Sequence, residues 1–113
     1  MHELGIVIEV VKRVEEVARK NQVGRIDTLV LQIGELSSSI PKYIEACFPA
    51  AADGTMLQET RLKIEVLPGN ARCKSCQEIF NVLKHEGKCP KCSGEVGELL
   101  SGKEFLIKEI IAS

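Results

Sequence analysis

The chain has 113 residues, a formal net charge of −1, 44% apolar and 27% charged residues, the balance of one globular domain rather than a disordered segment. Near-neutral charge removes the electrostatic basis for binding nucleic acid or an anionic membrane, and Tyr43, Phe48, Phe80 and Phe105 are too few aromatics for base stacking. Glu3 comes early and Glu9, Lys12 and Arg13 interrupt the first apolar stretch. Neither a signal peptide's apolar run of about 7–15 residues nor a membrane span of roughly 20 is expected.

From Leu4 to Lys20, Leu4, Val7, Val11, Val14 and Ala18 recur at helical spacing, and Glu9, Lys12, Arg13, Glu16, Arg19 and Lys20 fill much of the remainder. Glu15 and Glu16 stand four residues before Arg19 and Lys20, the order that favours surface ion pairs. Asn21 and Gly24 are expected to end this helix. Residues 25–33 are aliphatic and β-branched, with Leu29, Leu31 and Ile33 on one face, and predict a strand.

Ser37–Ser39 followed by Pro41 predicts a second helix start. That helix carries Tyr43, Ile44, Cys47 and Phe48, with Pro49 kinking or shortening it. Asp53-Gly54 reads as a turn. From 60 to 67, Leu62, Ile64 and Val66 alternate with Arg61, Lys63 and Glu65, a strand with one buried face. Residues 104–111 return to strand character and are expected to rejoin the sheet.

Between the last two strands, residues 70–97 carry only Ile79, Phe80, Val82 and Leu83 as their chief large apolar side chains. That is too little to order 28 residues when each costs about 1.5 kcal/mol of conformational entropy. A metal supplies what is missing. The stretch contains Cys73-Lys74-Ser75-Cys76 and Cys89-Pro90-Lys91-Cys92, two C-x-x-C knuckles with 12 residues between them.

Each knuckle presents two thiolates, and one folded onto the other makes a closed tetrahedral cage, which predicts structural rather than catalytic zinc. Four thiolates and Zn²⁺ leave a net charge of −2, offset within residues 70–93 by Arg72, Lys74, Lys84, Lys88 and Lys91 against Glu78 and Glu86. Five cysteines, an odd number, with no export signal predict a cytoplasmic setting in which paired cysteines hold metal. The expected architecture is α+β: two helices on a small three-stranded sheet, residues 1–69 and 98–113, with a zinc-ribbon-like insertion at 70–97.

The chain opens Met1-His2-Glu3. A free α-amino group, an imidazole one residue on and the intervening amides can wrap a metal in a nitrogen-rich, near-planar site suited to Ni²⁺ or Cu²⁺. Taken alone, a histidine at this position reads as a solvated terminal residue.

Met1-His2-Glu3, the following amphipathic helix, Ile33-Gly34-Glu35-Leu36-Ser37 at a strand end and the paired knuckles together resemble the HypA/HybF family of nickel metallochaperones. The resemblance spans the chain from Met1 to the strand near Ile111. It implies a non-enzymatic carrier that inserts nickel during maturation of [NiFe] hydrogenase and, in some organisms, urease. The implied partners are a HypB-type GTPase, the hydrogenase large subunit and urease accessory proteins, with no nucleic acid and no membrane.

His2 matches the family's nickel ligand, Glu3 the neighbour that joins the site, and Met1 supplies the amine. Cys73, Cys76, Cys89 and Cys92 match the zinc ligands. Where some members offer a carboxylate near the second helix, this chain has Ser39-Ile40-Pro41, so no ligand is carried over there. Either a monomer or a homodimer is compatible with this reading, with Pro68-Gly69 a hinge that would permit exchange.

Two other readings stay open on the residues alone. One is a zinc-ribbon module that binds protein or nucleic acid with no transported metal. The other is an iron–sulfur carrier, because Cys89-Pro90-Lys91-Cys92-Ser93-Gly94 resembles a rubredoxin knuckle, although the chain lacks the aromatic core that accompanies such sites. Cys47 reads as core packing, His85 as a solvated loop histidine, and Glu35 as an exposed strand-end carboxylate within possible reach of the N-terminus.

Overall fold

A computed structural model describes the backbone of residues 2–112 and the side chains of residues 3–112. The elements run α1 (His2–Lys20), β1 (Ile26–Gly34), α2 (Pro41–Ala52), β2 (Arg61–Leu67), β3 (Asn70–Cys73), β4 (Ile79–Asn81), β5 (Val96–Leu99) and β6 (Phe105–Ala112). The strands form two three-stranded sheets, in the orders β2-β1-β6 and β4-β3-β5. The chain divides into two compact units. The first holds the residues up to Gln32, Ser39–Glu65 and those from Leu106 onward, and the second holds Ile33–Ser38 and Val66–Phe105.

In the first unit, Val7, Val11, Val14 and Ala18 form the buried stripe of α1. It packs against α2, whose Ile44, Cys47, Phe48 and Ala52 are buried. Cys47 is thus a core residue, as its helical spacing predicts. β1 is buried at Leu29, Val30 and Leu31 in succession, the signature of a strand covered on both faces and of its central place in the sheet. Glu65 of β2 accepts hydrogen bonds from Gln32 of β1 at 3.1 Å and Lys108 of β6 at 3.0 Å, a polar row across all three strands.

Local chemistry departs from the sequence expectations at several points. The left-handed residue that closes α1 is Gln22, at φ 55°, with the Val23 N–H returning to the Ala18 carbonyl; Gly24 is not needed for it. Among the described residues, Glu15 accepts from the Met56 N–H rather than pairing along the helix. The described surface ion pair on α1 is Lys12–Glu9. The N-cap of α2 is Ile40, with Pro41 in the first turn.

α2 continues through Pro49 to Ala52. The bond that proline forfeits would have been to the Glu45 carbonyl, and both residues are exposed, so water can replace it. On β2, Leu62 and Ile64 are half-buried as expected but Val66 is 54% exposed. The alternation outlasts the surface that could cover it.

Candidate metal centre

The second unit is built around β3. It pairs antiparallel with β4 in the register Asn70↔Asn81, Ala71↔Phe80 and Arg72↔Ile79, and with β5 through Ala71↔Leu99, Arg72↔Glu98 and Cys73↔Val96, with a bulge between Arg72 and Cys73. Its buried cluster is Ala71, Cys73, Phe80 and Cys89, flanked by Cys76, Val82 and Leu99. Two of the four buried residues are therefore candidate ligands, and the unit has little apolar core without them.

The knuckles repeat one backbone design. In the first, the Cys73 N–H donates to the Glu78 carbonyl and the Gln77 N–H to the Cys73 carbonyl. In the second, Cys89 donates to Gly94 and Ser93 to Cys89. Gln77 (φ 68°) and Ser93 (φ 63°) take the same left-handed conformation. The amide two residues after each leading cysteine points at its sulfur: Ser75 N–H to Cys73 Sγ and Lys91 N–H to Cys89 Sγ, both at 3.4 Å. Such N–H groups stabilise thiolates.

The four sulfurs lie within 4.8 Å of one another, with Cys73–Cys92 at 3.5 Å and Cys76–Cys89 at 3.6 Å. Bonds of ~2.3 Å to a tetrahedral ion place sulfurs ~3.8 Å apart, so these two pairs need only a slight separation. Its protonation points the same way. The Cys73 thiol is lowered to about 6, first by the Cys76 N–H, with the Ser75 N–H adding to it. Cys92 is pushed up to about 12, first by the Cys73 thiol and then by Cys76. Four thiolates this close ionise together only around a cation.

Gly94 makes room for the cage, since a Cβ there would sit 2.8 Å from Cys73 Sγ and 3.1 Å from Cys92 Sγ. Gly94→Ala should therefore lower metal affinity roughly tenfold or more, measured by competition with a chromophoric chelator. Unchanged affinity would mean that the sulfurs can shift at no cost.

The other sequence candidates are placed differently. Glu3 lies half-buried in the first turn of α1, in the first unit. Met1 and the His2 side chain lie outside the described residues. His85 lies in the loop between the knuckles as expected, but it is half-buried, edge-on to the Phe80 ring at 6.4 Å between centroids. Glu35 is not merely exposed either. Its carboxylate accepts from the Gly69 N–H and from Asn81 Nδ2, both at 2.8 Å, and these bonds, Gly69's first, hold its pKa below the usual carboxylate value. Sequence reasoning missed Gly94, Asn81 and this role of Glu35; the Glu35-Leu36 pair directly after a strand-ending glycine was the available signal.

The model of the family described as hydrogenase/urease nickel incorporation metallochaperone, hypA, matches residues 1–112. The chain belongs to the HypA family. Among its relatives, a hydrogenase maturation factor HypA of Geobacter metallireducens is 38% identical over 111 residues, covering 97% of each chain. That of Chlorobium luteolum is 36% identical over 111 residues, covering 98% of this chain and 95% of the relative. The solution structure of the Ni metallochaperone HypA from Helicobacter pylori superposes with a TM-score of 0.67 at 25% identity, over 97% of this chain and 96% of that one. A second HypA solution structure gives 0.71 at 27%, over 100% and 97%. Matches along the whole chain favour the metallochaperone reading over a free-standing zinc ribbon, which would account only for the second unit. Among the described residues no helix is long and apolar enough to cross a membrane.

Proposed function

We propose that this HypA protein is a non-enzymatic nickel carrier that loads Ni²⁺ at Met1, His2 and Glu3 and delivers it during maturation of [NiFe] hydrogenase or urease. Zinc, held by Cys73, Cys76, Cys89 and Cys92, has a structural role. The family match across residues 1–112 carries this reading, together with a four-sulfur cage that leaves no open coordination position. A saturated cage shapes the second unit and needs a separate site for cargo.

The N-terminal chemistry suits such a site. The first four N–H groups of a helix have no intrahelical acceptor, and α1 begins at His2. The His2 and Glu3 amides can therefore lose their protons to a metal without breaking the helix ladder. An amine, an imidazole and amide nitrogens favour square-planar Ni²⁺. Residues 1–69 and 98–113 form the nickel-handling domain in this proposal, and residues 70–97 the zinc domain. The partners are a HypB-type GTPase and the hydrogenase large subunit or urease accessory proteins. The location is the cytoplasm, where five free cysteines stay reduced.

Nickel titration of the zinc-loaded protein and its His2→Ala variant tests the assignment. The variant should lose the nickel site, with affinity down at least about tenfold, while elemental analysis still finds one zinc per chain. Undiminished nickel binding would move the site, with His85 the next residue to replace.

A further inference from the structure

Glu35 does something for the second unit that neither the metal cage nor the family match assigns. It sits in the short segment Ile33–Ser38, the only part of that unit not drawn from 66–105. Three backbone bonds seat the segment: Gly34 N–H to the Glu104 carbonyl, Glu35 N–H to Leu67 and Leu36 N–H to Gly102. The fit is tight at Gly34 and Gly102, since a Cβ on Gly34 would overlap the Gly102 carbonyl, and Gly102 has φ 113°. The Glu35 carboxylate then reaches the ribbon. One oxygen, Oε1, accepts from the Gly69 N–H just before β3 and from Asn81 Nδ2 at the end of β4.

Both donors are themselves tied into the ribbon. The Gly69 carbonyl accepts from the Val82 N–H, Asn81 Oδ1 accepts from the Lys84 N–H at 2.9 Å, and Asn81 stands opposite Asn70 in the β3–β4 register. That hairpin carries the first knuckle at its turn, and β4 leads on to the second. The same segment is covalently continuous with β1 on one side and leads to α2 on the other.

We propose that Glu35 is a positioning residue that latches the four-cysteine ribbon to segment 33–38, so that metal-dependent order in the ribbon is imposed on the chain between β1 and α2. The proposal rests on zinc filling the cage. With the ribbon folded, Gly69 and Asn81 are presented together and Glu35 is doubly bonded. With it unfolded, the carboxylate loses both partners and the segment keeps only bonds that depend on the same folded unit.

The test compares wild type, Glu35→Ala, Glu35→Gln and Asn81→Asp, each with its zinc content counted. Amide exchange is read at Leu36 and Val82, and zinc release to a chromophoric chelator is timed. Glu35→Ala should retain one zinc yet exchange at both amides roughly tenfold faster or more, because two charge-assisted bonds are gone, and should release zinc several-fold faster. In Glu35→Gln the amide oxygen can take the place of Oε1 and accept from both Gly69 and Asn81 without the charge, so exchange should fall between wild type and Glu35→Ala. Asn81→Asp keeps the acceptor for the Lys84 N–H but sets a second carboxylate against Oε1, so exchange should rise at both amides. Stripping zinc from wild type should speed Leu36 exchange as well. Unchanged exchange in zinc-loaded Glu35→Ala, or Glu35→Gln exchanging as fast as Glu35→Ala, would overturn the latch. Wild type without zinc would instead reject the metal assignment. Should the alanine variant fail to fold, Asn81→Asp still decides, since unchanged exchange there would equally overturn the latch.

Discussion

Cys73→Ala should abolish stoichiometric zinc and unfold the ribbon, with amide protection across β3, β4 and β5 falling ~10²-fold or more, since structural zinc supplies about 10–16 kcal/mol in comparable small modules. The basis lies in the composition of the core. Removing Cys73 and releasing Cys89 from the metal leaves Ala71 and Phe80 as the buried members of the cluster, too little apolar surface to offset chain entropy. α1 and α2 should keep their protection, because Val7, Val11, Val14, Ile44 and Phe48 are buried in the first unit, which contains none of the four ligand cysteines. Hydrogen exchange read residue by residue distinguishes the two units in one experiment. Full protection of the ribbon in the zinc-free variant would contradict the structural role. A red, iron-containing protein purified from the native host would contradict the choice of metal.

The second large effect belongs to the N-terminus. If Met1 binds through its free amine, a Gly-Ser extension converts that nitrogen to an amide that is far less basic and crowded by the added chain. Nickel affinity should fall at least about tenfold, which is about 1.4 kcal/mol, and a histidine-free tag of equal length at the other end should have no effect. Amide ligands must shed protons, so affinity should rise with pH, and calorimetry in two buffers of different ionisation enthalpy should report proton release on binding. Equal affinity with and without the extension would exclude the amine as a necessary ligand and leave the His2 imidazole to act with carboxylates such as Glu3.

Much of this architecture is written in local pattern. Val7, Val11, Val14 and Ala18 mark the buried face of α1, and the consecutive aliphatics of β1 become its central position. The cage follows from two C-x-x-C pairs, because ligand spacing is a local property. The contributions that stayed hidden depend on partners remote in sequence. Glu35 is defined by Gly69 and Asn81, 34 and 46 residues away. Gly94 matters because of Cys73, a sulfur on the other knuckle. The strands β3, β4 and β5 are three or four residues long, too short for alternation to register. The left-handed turn after α1 falls at Gln22 rather than Gly24, the reverse case, in which a permissive glycine nearby is passed over because the helix ends at Lys20, before it is reached.

In the proposed carrier, cargo and structural metal occupy chemically distinct sites, one of nitrogen and oxygen donors and one of sulfur. X-ray absorption at the nickel edge, on protein loaded with one zinc and then one nickel per chain, reads this directly. The expected spectrum has a first shell of nitrogen and oxygen scatterers in planar geometry with no sulfur contribution, and the zinc edge of the same sample shows four sulfurs before and after nickel is added. Sulfur scattering around nickel, with zinc displaced, would place the cargo in the cage of Cys73, Cys76, Cys89 and Cys92 and contradict the two-site account.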